Sequence, residues 1–167
     1  MKEFVLPFYG LKPGTHTYNF EIGNSFFSAF ENTLIEDADF DVTLKLEKLT
    51  NMLVLNFKGK GKVNDFCDRC GDPLVLKCKV KDEIIVKFGD ADYEQVDEVL
   101  VLSHDTHEID VAPLIYEMIV LNLPRKKVHK STADCNSEVL ERLKTAEKSD
   151  DNNKETDPRW EALKKLK

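Results

Sequence analysis

No apolar run in this 167-residue chain is long enough to span a bilayer, and 33% of its residues are charged. With a mean hydropathy of −0.40, that excludes a membrane bundle. The start, Met1-Lys2-Glu3-Phe4, has no signal-peptide hydrophobic region, so a cytoplasmic setting is expected. Basic charge is short: 24 Lys and Arg stand against 31 Asp and Glu, a net −7. A sequence-blind nucleic-acid coat is thereby excluded, which leaves room only for a local basic site. The chain carries no nucleophile elbow, P-loop or dinucleotide fingerprint. No internal repeat is present either. Ser103-His104-Asp105-Thr106-His107 is a small His/Asp cluster, but one loop without a placed partner makes a thin acid–base or metal site. A catalytic role and a small-molecule substrate are therefore not expected.

Hydrophobic residues make up 41% of the chain, enough for a real core. Phe40, Val42, Leu44 and Leu46 alternate with polar residues, the period of a half-buried strand. Lys48-Leu49-Thr50-Asn51 predicts a turn, and Leu53, Leu55 and Phe57 the returning strand. Gly59 and Gly61 predict a loosening, followed by a third strand at 63–66. Leu74 to Val80 reads as a strand with one largely basic face, and Ile84, Val86 and Phe88 as another. Residues 89–98 are acidic and predict a loop, with a short strand at 99–102. Phe26, Phe27 and Phe30 fall at helical spacing. Asp110 and Pro113 open an amphipathic helix through Val111, Leu114, Ile115, Met118 and Ile119, which Pro124 ends. The expected architecture is α+β: mostly antiparallel β, a sandwich or partly open barrel, with one packing helix and a helical C-terminal tail. The expected divisions are a β-rich domain at 1–130, a short helical extension at 131–146, an acidic flexible linker at 147–157 and a Trp/Lys tail at 158–167.

Of the four cysteines, Cys67 and Cys70 form a Cys-x-x-Cys pair followed by Gly71. Two thiolates three positions apart can grip one tetrahedral ion, and glycine allows the tight knuckle. His129 and Cys135 are the best candidates for the remaining ligands of a zinc site. Two other readings stand beside it, free thiols in a reducing compartment and a redox pair. The second lacks the helix that follows thioredoxin-type motifs. Cys78 lies on the apolar side of its strand and reads as core.

Base gathers in Lys58, Lys60 and Lys62, then in Arg69, Lys77, Lys79 and Lys81, and most densely in Arg125, Lys126, Lys127, His129 and Lys130. Strand lysines also serve simply to keep sheet edges soluble, and that reading is preferred for residues 58–81. The 125–130 run is a candidate phosphate contact. The tail adds Arg159, Lys164, Lys165 and Lys167 around Trp160, which could stack on a base or dock a helix.

Several segments follow one another in a telling order: Phe66-Cys67-Asp68-Arg69-Cys70, Ile109-Asp110 with Glu117, Leu121-Asn122-Leu123-Pro124, and Asp157-Pro158-Arg159-Trp160. In this order, across about residues 60 to 167, the chain resembles the YceD-like family, the large ribosomal RNA subunit accumulation proteins of bacteria and plastids. The resemblance implies a non-catalytic ribosome-biogenesis factor, supporting accumulation or processing of 23S rRNA. Its partner would be precursor RNA or an early large-subunit particle, reached through Arg69, Arg125, Lys126, Lys127, Lys130, Arg159, Trp160, Lys164 and Lys165. Many members carry further cysteines after the Leu-Pro segment. Here Cys135 alone stands there, with His129 as the substitute ligand. The alternative is an acidic adaptor that holds a basic ribosomal protein and keeps a structural zinc knuckle.

Overall fold

The computed structural model describes residues 1–31, 33–89, 94–96 and 99–151, the backbone alone for 94–96 and 147–151. The chain divides into two compact units: residues 1–65 with 75–126, and residues 66–74 with 127–167.

In the first unit the alternating sequence becomes sheet. The strands are β1 (Val5–Pro7), β2 (Gly14–Ile22), β3 (Asp37–Lys48), β4 (Met52–Phe66), β5 (Pro73–Gly89), β6 (Glu94–Val96), β7 (Val99–Ser103) and β8 (Glu108–Asp110). Six of them form one open sheet in the order β2-β3-β4-β5-β7-β6, and β1 pairs with β8. β1–β8, β2–β3, β3–β4 and β6–β7 pair antiparallel, while Ile85 to Gly89 of β5 run parallel to Val99 to Ser103 of β7. The α+β, mostly antiparallel architecture expected from the sequence is therefore present, with no closed barrel among the described residues.

The β3–β4 hairpin turns where expected, Leu49 N–H donating to the Met52 carbonyl oxygen at 3.0 Å. Two expected breaks are absent. β4 runs unbroken through Gly59 and Gly61, and β5 through Lys81-Asp82-Glu83. The glycines are there for space, not flexibility. A Cβ on Gly61 would strike the Asp39 carbonyl oxygen and the Phe40 ring, which lies across that position. A Cβ on Gly59 would meet the Val80 side chain at 2.8 Å and that of Val42 at 3.1 Å.

Leu44, Leu46, Leu53, Leu55, Phe57 and Val86 fill the inner side of the sheet. Helices α1 (Asn24–Phe27) and α2 (Ala112–Asn122) close the core with Phe26, Phe27, Ile115, Met118 and Ile119. Phe30 stacks on Tyr116 at 4.3 Å between ring centroids. The Asp110 carboxylate accepts the Ala112 N–H at 2.9 Å, satisfying a donor at the start of α2. Leu123, before Pro124, is extended and ends the helix. Lys48 has a role that its place at the end of β3 does not reveal: Nζ donates to the carbonyls of Phe8, Tyr9 and Leu11, each at 2.9 Å.

The second unit holds the turn between β4 and β5, a 3-10 turn at Thr132–Asp134 and α3 (Ser137–Asp151). The expected cut at 130 is thus displaced. The knuckle belongs with the C-terminal segment because its side chains and backbone are bonded to residues 127–135. α3 also continues through Asp151, into the start of the expected linker. The remainder of that linker and the tail at 158–167 lie outside the described residues.

Gly61→Ala is expected to lower stability by about 1–3 kcal/mol through overpacking, read from urea unfolding midpoints. Gly10→Ala, where nothing lies within 4 Å of the new Cβ, is expected to stay within about 0.5 kcal/mol. Equal effects at the two positions would contradict the packing account.

Candidate metal centre

The knuckle is built by its backbone. Gly71, at φ +77°, turns the chain so that its N–H donates to the Cys67 carbonyl oxygen at 2.8 Å. Cys67 N–H in turn donates to the Asp72 carbonyl oxygen at 2.8 Å. This conformation suits glycine because a Cβ would strain it. Asp68 ties the knuckle to the C-terminal segment twice. Its N–H donates to the Lys127 carbonyl oxygen, and its carboxylate accepts the Lys127 N–H, both at 2.6 Å. Nothing in the sequence pattern marked this pair.

The result is a cluster. The ligand atoms of Cys67, Cys70, His129 and Cys135 all lie within 4.8 Å of one another, and the three cysteines are buried. His129 Nδ1 sits 3.6 Å from Cys70 Sγ and 3.6 Å from Cys135 Sγ. A tetrahedral zinc ion with bonds of about 2.3 Å to sulfur and about 2.0 Å to nitrogen separates S from N by about 3.5 Å. The spacing, the three soft sulfurs and the imidazole therefore fit such an ion. All four cysteines of the chain are free thiols. Leu74, Val128, Val139 and Leu140 pack around the cluster.

The electrostatics point the same way. Burial opposes ionisation of Cys67. The backbone N–H groups of His129, Arg69 and Cys70, with the Cys70 thiol, outweigh it and hold Cys67 at about 6 against an ordinary 9.0. Burial and the neighbouring Cys70 thiol push Cys135 up. Arg69 Nη1 donates to Cys135 Sγ at 3.6 Å and sets a positive charge beside the thiolates. In the metal-free protein, the Cys67 contribution to folding is complete above the unfolded thiol's 9.0 and vanishes as pH falls through about 6.

The other sequence candidates fall as follows. Arg125, Lys126 and Lys130 are exposed, and Lys127 is half-buried. Arg159, Trp160, Lys164 and Lys165 lie outside the described residues. His104 and His107 form no metal-capable group among the described residues; His107 stacks on Tyr9 at 4.5 Å. Cys78 is buried in the first unit's core, where burial raises its pKa.

The family model of the large ribosomal RNA subunit accumulation protein YceD matches residues 55–167. The chain belongs to the YceD family. No curated protein and no solved structure matches it. The family match takes in the knuckle, His129 and Cys135, together with α2 and the tail, and leaves β1, β2 and β3 outside it. The family's description names a role in large-subunit ribosomal RNA accumulation and no reaction.

Thiolate absorbance of the metal-free protein is expected to rise in a first step near pH 6 from Cys67, with Cys135 ionising above the ordinary thiol value. A single step at the ordinary thiol value would contradict the backbone account of Cys67.

Proposed function

We propose that this chain is a non-catalytic ribosome-biogenesis factor. It supports accumulation and processing of 23S rRNA by binding the precursor RNA or an early large-subunit particle in the cytoplasm. The observation that carries the reading is the family match over residues 55–167. In it, zinc bound by Cys67, Cys70, His129 and Cys135 is structural. Four protein ligands leave no open coordination position for a substrate, as in closed zinc sites generally. Three thiolates and one divalent ion leave a net charge of −1, which Arg69 offsets.

The binding groups proposed are Arg69, Arg125, Lys126, Lys127 and Lys130, with Arg159, Trp160, Lys164 and Lys165 of the tail. The Arg69 side chain and the Lys127 backbone bond within the second unit, while the Arg125, Lys126 and Lys130 side chains are exposed to partners. The net charge of −7 favours a second reading, an adaptor that holds a basic ribosomal protein. Nuclease treatment before affinity capture separates the two, since partners of an adaptor survive it.

Cells lacking the protein are expected to accumulate less mature 23S rRNA relative to 16S rRNA. Arg125→Glu, Lys126→Glu and Lys127→Glu together are expected to fail to restore it while remaining folded. An unchanged 23S to 16S ratio on deletion would overturn the reading. Full rescue by the triple variant would remove the 125–127 run from it.

A further inference from the structure

The outer face of the first unit's sheet is sorted by charge in a way the acidic total conceals. Along β4, Lys58, Lys60 and Lys62 point outward while Gly59 and Gly61 lie toward the core. Along β5, Lys77, Lys79 and Lys81 point outward while Cys78 and Val80 are buried. The two strands are neighbours in the sheet. Lys60, Lys62, Lys77 and Lys79 line one groove of about 810 Å³ together with Glu21 of β2 and Asp39 and Asp41 of β3.

The acids do not neutralise the lysines evenly. Asp39 holds Lys62 at 3.1 Å, and Asp41 stands across from Lys60 in the β3–β4 register. Lys58 stands across from Thr43. Lys77, Lys79 and Lys81 have no ion pair among the described residues. β7 pairs only with Ile85 to Gly89, so no further strand flanks β5 alongside them among the described residues. Alternate residues on a strand are about 6.6–6.8 Å apart, a repeat that an extended nucleic-acid strand can follow from phosphate to phosphate.

We infer that Lys58, Lys60, Lys77, Lys79 and Lys81 form a phosphate-binding face that takes the backbone of single-stranded RNA. The inference rests on the reading of the chain as an RNA-binding factor and adds a contact surface distinct from residues 125–130. Lysine ammonium groups on an open sheet contact phosphates and read no base edges, so this face orients RNA without selecting sequence. Glu21, Asp39 and Asp41 on β2 and β3 repel a phosphate backbone laid across those strands and so favour β4 and β5.

The rival explanation is that lysines on an open strand merely block edge-to-edge pairing. Glutamate, also charged, blocks it too, so charge reversal separates the two. Binding of labelled oligouridylate to the full chain is measured by fluorescence anisotropy across a salt series. Three proteins are compared: the parent chain, the triple variant Lys77→Glu, Lys79→Glu, Lys81→Glu, and the triple variant Lys77→Arg, Lys79→Arg, Lys81→Arg. Thermal unfolding shows that each is folded. The Glu variant is expected to bind at least about tenfold more weakly, and its log K against log salt slope to be shallower by about 2, since each single-strand phosphate contributes about 0.7. The Arg variant is expected to bind like the parent. A folded Glu variant with the parental affinity and slope would overturn the face while leaving the RNA-binding reading intact. A parent chain that fails to bind oligouridylate would also overturn the face, while the 23S to 16S ratio on deletion tests the reading on which it rests. Polyglutamate binding as tight as that of oligouridylate would overturn the assignment to RNA.

Discussion

Three sulfurs and an imidazole nitrogen lie within 4.8 Å of one another, drawn from two stretches of chain about 60 residues apart. Thiolates at that distance repel each other in a buried site unless a cation or hydrogen-bond donors answer them. The second unit is organised around that demand. Gly71 bends the knuckle, Asp68 clasps Lys127, and Arg69 brings a guanidinium to Cys135. Among the described residues its apolar cluster is small: Leu74, Val128, Val139 and Leu140 pack around the cysteines. Small units of this kind usually need a staple beyond burial. A metal held by all four ligands would supply it, closing a long loop whose entropy the apolar cluster alone offsets poorly.

The first unit answers a different constraint, the pleat. One face of the sheet must be dry, so β3, β4 and β5 alternate and the outward side is left to charge. Two glycines on β4 let Phe40, Val42 and Val80 close over the strand without bending it. That leaves the outward lysines of β4 and β5 in register with the pleat. The same alternation that buries the core thus sorts charge onto one surface, and the negative total of the chain says nothing about that surface.

Much of this was legible in the residues. The period of two from Phe40 to Leu46, the turn at 48–51 and the helix between Asp110 and Pro124 are local signals, and they appear where local physics puts them. Cys67 and Cys70 with His129 and Cys135 were nameable from residue type and spacing, because soft ligands are rare in this chain. Other features depend on partners far away in sequence. Gly59 and Gly61 read as breaks because the Phe40 ring above Gly61 is invisible along the chain. The parallel β5–β7 pairing and the three carbonyls gathered by Lys48 leave no local trace. The cut expected at 130 followed composition, whereas the knuckle's bonds to residues 127–135 set the real division. The tail around Trp160 lies outside the described residues.

The claim at the centre of this account is that a metal at Cys67, Cys70, His129 and Cys135 holds the second unit together. Hydrogen exchange read by mass spectrometry, on the purified full chain before and after removal of metal by a chelator, tests it most directly. The account predicts that chelation strips protection from residues 66–74 and 127–146 while β3, β4 and α2 keep theirs, and that added zinc restores it. Protection in those two segments that is unchanged by chelation, in a protein shown to contain no metal, would contradict it.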